Sequence, residues 1–492
     1  MPGEYNPPLN EVRRLEGQGN IVPVYREVRA DLETPVSAYL KVARGPYSFL
    51  LESVEGGERV GRYSFIGTEP YRVAARTHED GDPLDEIERE LGRLEAVGVP
   101  GLPKFHGGAV GYLGWEAGGH FEELPVAGVD TLGLPESWLM FAETLLVFDH
   151  LMHSIKVVSH VHLDGDIDSS YRQAVGRIDE LVSRLESPLG ALPYVPFDGV
   201  AGQPIRQNWS QEDYMAAVKK TKEYIVEGDI IQGVISQRFS RETGAHPFEV
   251  YRSLRAINPS PYMYYLKFGD TYIVGASPEL LVNIEDDLVE VHPIAGTRRR
   301  GDTVLDDERL AEELAHDPKE IAEHVMLLDL GRNDVGRVAT AGSVRVTQQL
   351  DIEYYSHVMH LVSHVQGELR EGMSAYDALR SAFPAGTVSG APKIRAMEII
   401  AELEPDQRGP YAGSVGFFDM SGNAETCITI RTLVMKDGWA HVQAGAGIVF
   451  DSDPLKEYEE CQHKAQALIA ALDDAEHAEH GDHGGSTGSL GY

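Results

Sequence analysis

The chain has 492 residues, 42% of them hydrophobic and 25% charged, more apolar material than one small core needs, which points to one very large or two fused α/β units. A fibrous, miniature or disordered protein is thereby excluded. The 78 acidic residues outnumber the 43 basic ones, and the formal charge of −35, spread along the chain, repels phosphate backbones and anionic bilayers, so neither nucleic acid nor a membrane surface is expected as a partner.

The opening Met1-Pro2-Gly3-Glu4-Tyr5 offers neither a basic nor an apolar stretch, and no 18 uncharged apolar residues run together, so the expected location is cytoplasmic. Only 12 of the basic residues are lysine, a surface suited to a salty cytoplasm or simply to an acidic enzyme. Short β-rich runs at 49–53, 63–67, 109–113 and 144–148 read as strands, and a helical pattern covers 170–186. The Pro/Gly-rich stretch 187–207 reads as a linker between an N-terminal region, 1–186, and a second region, 208–470.

In the second region Ser210 is a helix cap, and Tyr214, Ala217, Val218, Thr221, Tyr224 and Ile225 recur at helical spacing until Gly228 stops the helix. A strand is expected over 230–239. Beyond it strands and helices interleave without a regular βαβ period, which predicts an α+β fold of antiparallel β-sheets surrounded by helices. The tail 471–492, with Glu476, His477, Glu479, His480, Asp482 and His483, lacks apolar periodicity and is expected to be a disordered acidic solubiliser, its histidines being the alternative as metal ligands.

Two helix starts share one design. Asp317-Pro318 and Asp453-Pro454 each pair a cap with proline at the first helical position, and Glu320 and Glu323 on one, Glu457 and Glu460 on the other, repeat a three-residue spacing. If the helices approach each other, such all-oxygen ligation suits Mg²⁺, which takes a few carboxylates and keeps waters for a substrate to share. Glu320 can instead close a capping box onto Asp317, and Glu457 can simply favour the helix dipole. Glu323 and Glu460 are therefore the preferred ligands, Glu320 and Glu457 the second choice.

Cys427 and Cys461 are too few for a disulfide framework or a four-thiolate zinc site. Glu279 follows Gly275-Ala276-Ser277-Pro278 at the end of an apolar strand and is either a turn residue or, if burial raises its pKa, a general acid. The small residues between Pro384 and Lys393 let backbone N–H groups approach a ligand, with Thr387 as a positioned hydroxyl, or form only a loop.

Taken in order, Gly228-Asp229-Ile230-Ile231-Gln232, Gly275-Ala276-Ser277-Pro278-Glu279, Pro293-Ile294-Ala295-Gly296-Thr297-Arg298, Leu328-Asp329-Leu330-Gly331-Arg332-Asn333-Asp334, the Pro384 to Lys393 loop and Gly445-Ala446-Gly447-Ile448-Val449 resemble the chorismate-utilising enzyme family. Within it they are most similar to the component I subunits of anthranilate synthase, over roughly residues 20–468. The resemblance implies the chorismate-utilising fold and a Mg²⁺-dependent lyase: chorismate loses its C4 hydroxyl as ammonia adds at C2, and pyruvate is eliminated to leave anthranilate for tryptophan biosynthesis. It implies Glu279 as the acid for the departing hydroxyl, His360 as the histidine of pyruvate elimination, and Thr297 and Thr387 as hydroxyls bonding the substrate. Arg431, Lys464, Tyr411 and the Gly445, Ala446 and Gly447 amides would contact the substrate carboxylates, and Glu323 and Glu460 would hold the metal that orients the ring carboxylate.

Relatives that add water carry a lysine at the Gln232 position, whereas uncharged Gln232 suits ammonia, already a nucleophile. Aminodeoxychorismate synthase component I, the alternative enzyme, commonly carries a lysine where Ala295 stands. A non-catalytic tryptophan-binding regulatory subunit is the alternative from another class, against which the presence of Glu279, His360, Glu323 and Glu460 argues. Leu51, Glu52 and Ser53, with Asn258, Pro261, Tyr262 and Met263, resemble the tryptophan-binding elements of feedback-inhibited members; otherwise they form an edge strand and a turn. Neither cysteine sits in a glutaminase setting, so the resemblance implies a separate glutamine amidotransferase partner, component II, as the source of ammonia. Gly233 departs from the bulkier residue expected after Gln232.

Overall fold

The computed structural model describes residues 4–53, 61–125, 128–190, 202–301, 303–355 and 358–481. Its frame is two antiparallel sheets of 12 and 10 strands, with every pairing between named strands antiparallel. The expected α+β architecture is the observed one. The strands expected in the N-terminal region appear at Tyr47–Glu52, Tyr63–Thr68, Gly108–Leu113 and Thr144–Asp149.

Neither sheet respects the boundary between the two regions. In the larger sheet Tyr47–Glu52 pairs with Tyr262–Phe268, and in the smaller one Gly108–Leu113 pairs with Ser414–Asp419. Chain that is continuous in sequence is thus interleaved in space, and each half lends strands to both sheets. Of the expected linker, 191–201 lies outside the described residues, while Arg206–Gln207 adds a short strand to the edge of Gln232–Glu242.

The sheets face each other across an apolar layer. Phe49, Leu266, Phe268 and Ile273 of the larger sheet meet Val110, Tyr112, Met140 and Val415 of the smaller one, all of them buried. Helices cover the outer faces. Gln211–Glu227 is capped by Ser210, whose hydroxyl accepts from Asp213 N, and ends at Gly228 with φ +86°, a conformation only glycine adopts freely. Thr221 of this helix explains Gly233, because a Cβ at Gly233 would lie 3.2 Å from the Thr221 methyl and 3.1 Å from Ile230.

Pro318–Val338 starts at Asp317, whose carboxylate accepts from Lys319 N and Glu320 N. Pro454–Gly481 starts at Asp453 in the same manner. This last helix runs past residue 470, where a disordered tail was expected. Leu472 and Ala475 are buried, and Glu476 accepts hydrogen bonds from the Thr243 hydroxyl and from Gly202 N and lies 3.3 Å from Arg241. Those partners come from distant segments, so local periodicity did not reveal them. Residues 482–492, with Asp482 and His483, lie outside the described residues.

Candidate active site

One cavity of about 600 Å³ gathers residues from the opening turns of both proline-started helices, four strands and the Pro384 to Lys393 loop. Glu279 sits directly after strand Thr271–Ser277, held there by Ser277, whose hydroxyl donates to Ile428 O at 2.6 Å. Across the cavity the short 3₁₀ turn Gly386–Val388 presents Thr387, whose hydroxyl donates to Glu279 Oε1 at 2.7 Å. Burial pushes the Glu279 carboxyl up to about 8, against the opposing effect of the Thr387 hydroxyl and the Ile294 backbone. At neutral pH it therefore carries a proton that it can donate.

His360 stands on strand Val358–Glu368, directly opposite Thr297 in the register of the neighbouring strand. The pairing shifts between Ala295 and Thr297, where Gly296 takes φ +72°, and this bulge turns Thr297 onto the histidine. His360 Nδ1 lies 3.0 Å from the Thr297 hydroxyl and 3.2 Å from Gly296 O. With Nδ1–H donating to the Gly296 carbonyl, Nε2 is left with the lone pair. Burial lowers the imidazole to about 4, so the ring is neutral.

Glu320 and Glu323 of one helix and Glu457 and Glu460 of the other line this same cavity. Glu320 does not close a capping box; its carboxylate takes Arg298 at 3.1 Å, because Arg298 also bridges to Asp317 at 2.7 Å and stands over the helix start. Glu460 pairs with Lys464 at 2.8 Å. Glu323 receives only a long bond of 3.4 Å from the Gln232 amide. Burial and the Glu320 charge raise the Glu323 carboxyl, and burial raises that of Glu457 despite a bond from Ser452. An all-oxygen donor set in which Glu320 and Glu460 have basic partners, while among the described residues no salt bridge engages Glu323 or Glu457, fits a hard divalent ion such as Mg²⁺.

Arg431 provides the opposite charge. Its backbone takes φ +52°, and among the described residues its guanidinium has no carboxylate partner, although burial lowers its pKa. A desolvated, unpaired guanidinium on a cavity wall is an anion site. Gly445 and Gly447 keep the floor open: a Cβ at Gly445 would stand 2.8 Å from the Tyr411 hydroxyl, and one at Gly447 2.3 Å from Gln232 Nε2.

Of the residues expected at the substrate, Gln232, Glu279, Thr297, His360, Thr387, Tyr411, Arg431, Gly445, Gly447 and Lys464 all line the cavity. Ala446 does not. Strand alternation turns it to the opposite face, where it is fully buried in the core. Lys464 is already engaged, donating to Gly445 O at 2.9 Å. Lys319, immediately before Glu320, also lines the cavity and was not singled out from the sequence, where it reads as an ordinary charge in a first helical turn.

A second cavity of about 660 Å³ lies where the N-terminal strands meet the C-terminal ones. Leu51, Glu52, Ser53, Pro261, Tyr262 and Met263 line it, brought together because Met263 pairs with Glu52 in the sheet. Asn258 does not. It ends helix Pro247–Ile257, its N–H bonded to Leu254 O. The Glu52 carboxylate is held by Arg255 at 3.1 and 3.2 Å and by the Tyr251 hydroxyl. Phe65, Phe105 and Phe417, also unforeseen, add an aromatic wall on which Phe105 and Phe417 stack at 4.2 Å.

Two stacked antiparallel sheets with a carboxylate-rich, arginine-bearing cavity at the helix starts define the class: the chain belongs to the chorismate binding enzyme family, whose model matches residues 47–470. It is 48% identical to anthranilate synthase component 1 of Acetivibrio thermocellus over 491 residues, covering 96% of this chain and 99% of the relative. It is also 48% identical to the component 1 of Pseudomonas putida, covering 95% and 98%. The crystal structure of anthranilate synthase component I from Streptococcus pneumoniae TIGR4 superposes with a TM-score of 0.75 at 36% identity, covering 90% of this chain and 98% of that one. The menaquinone-specific isochorismate synthase of Escherichia coli shares the fold at 18% identity and a TM-score of 0.70, covering 94% and 98%.

Proposed function

We propose that the chain is the large subunit of an anthranilate synthase, converting chorismate and ammonia to anthranilate and pyruvate. The observation that carries this reading is the meeting of protonated Glu279, neutral His360 and unpaired Arg431 around one cavity whose reacting wall offers Gln232 rather than a cation. Arg431 takes a substrate carboxylate in a bidentate grip, with the Gly445 and Gly447 backbone lining the same cavity. Glu279, steadied by Thr387, gives its proton to the departing hydroxyl, which is otherwise a poor leaving group. His360, oriented through Nδ1, takes a proton at Nε2 as pyruvate leaves.

Glu323 and Glu460, with Glu320 and Glu457 beside them, would hold Mg²⁺. Bound there, it supplies the positive charge that anchors and orients the ring carboxylate. Arg298 and Lys464 now neutralise Glu320 and Glu460, so loading requires those two contacts to loosen.

Ammonia comes from a separate glutaminase subunit in this reading. Both cysteines are buried, and burial pushes the Cys427 thiol up to about 12 and that of Cys461 to about 11, the opposite of an activated nucleophile. The second cavity takes tryptophan as a feedback inhibitor, its aromatic wall receiving the indole. Among the described residues no helix is long and apolar enough to cross a membrane.

The test is direct. Purified chain, chorismate, ammonium and Mg²⁺ should produce anthranilate fluorescence that tryptophan suppresses and a chelator abolishes. Accumulation of a non-fluorescent aminated product would instead mark an aminodeoxychorismate synthase. Tryptophan binding without turnover would mark a regulatory subunit.

A further inference from the structure

Outside the lining of both cavities, three side chains from three separate segments converge. His78 opens the 3₁₀ turn His78–Asp80, His120 closes the 3₁₀ helix Trp115–His120, and Glu136 immediately precedes strand Ser137–Ala142. His78 Nδ1 lies 3.1 Å from Glu136 Oε1 and His120 Nε2 lies 2.9 Å from Glu136 Oε2. The geometry points to a binding site for a borderline divalent transition ion of the Zn²⁺ type, held by two imidazoles and one carboxylate.

Each ligand stands on a fixed backbone. The Asp80 carboxylate accepts from Thr77 N at 2.8 Å and locks the turn that carries His78. The segment carrying His120 is tied down by Glu116, whose carboxylate accepts Arg408 N at 2.8 Å and Gly409 N at 3.0 Å. Glu136 is positioned through its carbonyl, which accepts Gly114 N at 2.6 Å. Ligands held in place before the ion arrives lose little on binding it.

The charge pattern also calls for a cation. The Glu136 side chain is only 14% exposed, and among the described residues no lysine or arginine pairs with it; its partners are the two imidazoles alone. Two nitrogens and one oxygen select Zn²⁺, Co²⁺ or Ni²⁺ over the hard ions Mg²⁺ and Ca²⁺. Because the His78 side chain is 62% exposed, one side of the site stays open to water, which would complete the coordination.

A second cluster of the same composition shows what is missing when geometry fails. Glu290, His292 and His364 also approach one another, but their imidazoles stack face to face at 3.8 Å with planes only 12° apart. Ring lone pairs lie in the ring plane, so parallel rings aim past any common ion. At His78 and His120 the rings stand 4.9 Å apart and tilt by 34°, and their nitrogens turn toward one carboxylate.

The experiment titrates Co²⁺ into the full chain with Mg²⁺ kept in excess and follows visible d–d absorption. The wild-type chain should gain an equivalent of nitrogen- and oxygen-ligated Co²⁺ that H120A and H78A both lose, that Zn²⁺ displaces and that H364A retains. Because His78 is mostly exposed, H78A should keep the wild-type near-ultraviolet dichroism and turnover, while the rise in Tm that Zn²⁺ gives the wild type should vanish. Bands and stoichiometry unchanged in H78A and H120A would overturn the site, as would bands abolished by Mg²⁺ or absent from the wild type.

Discussion

Thr387 and Glu279 stand 108 residues apart in the chain, yet the hydroxyl of one donates to the carboxyl of the other at 2.7 Å. The contact fixes one carboxyl oxygen and leaves the other to carry the proton. In the proposed mechanism Glu279, raised to about 8, is the acid and is protonated below that pH, and His360, lowered to about 4, is the base and is unprotonated above pH 4. At constant free ammonia, kcat/KM for chorismate should therefore be bell-shaped, with limbs near 4 and 8. A flat profile through pH 8 would remove Glu279 as the acid.

Stability follows the same group with the opposite benefit. A carboxyl raised by burial costs nothing below its unfolded pKa, and its cost grows as pH rises through the folded value. E279Q should be nearly inactive, and its Tm should gain on the wild type as pH is raised from 5 to 9. Equal Tm differences across that range would show that Glu279 is not buried as a neutral acid.

Asp334, near the end of helix Pro318–Val338, meets Lys393 at 2.9 Å with both side chains buried. The pair clamps the helix that carries Glu320 and Glu323 to the loop that carries Thr387. K393M leaves an uncompensated buried carboxylate and should cost about 3–5 kcal/mol in urea unfolding, while the double variant with D334N should recover much of it. Additive losses would mean that the two groups act independently.

Among the described residues no carboxylate pairs with Arg431, so its loss should appear in binding. R431M should raise KM for chorismate on the order of a hundredfold, about 2–3 kcal/mol, with the fold intact by circular dichroism. R431K should recover only part of it, since an ammonium cannot make the paired contact.

Gly447 leaves room for the Gln232 amide, which a Cβ would approach to 2.3 Å. G447A should displace Gln232 and lower kcat/KM for ammonium more than for chorismate. Equal losses for both would assign the glycine to the carboxylate floor instead.

Arg255 holds the carboxylate of Glu52, which lines the second cavity, proposed as the tryptophan site. R255A should weaken tryptophan inhibition roughly tenfold or more, the value of a hydrogen bond to a charged group, and leave uninhibited turnover as it was. Unchanged inhibition would separate Glu52 from the effector.

Much of the site was legible because local chemistry marks it. Asp317-Pro318 and Asp453-Pro454 announce helix starts, and the two acids that follow in each helix, three residues apart, then lie near one face whatever the rest of the chain does. That the Ala446 side chain turns into the core was not legible, because a string of small residues gives no hint of which face each will present until the strand register is known. Asn258 was misplaced because its neighbours line the cavity while its own backbone ends a helix. The tail was misjudged because the partners of Glu476 lie more than two hundred residues away.

By itself the sequence determined the residue types and the local elements: capped helices, alternating strands, and a carboxyl group just past a strand end. Such features depend on neighbours a few positions apart. Only the tertiary structure decided that Glu323 and Glu460 open onto one cavity, that burial holds Glu279 protonated, that both sheets draw strands from both halves, and that His78 and His120 meet across Glu136. These outcomes rest on desolvation and on long-range strand pairing, and neither exists until distant parts of the chain exclude water together.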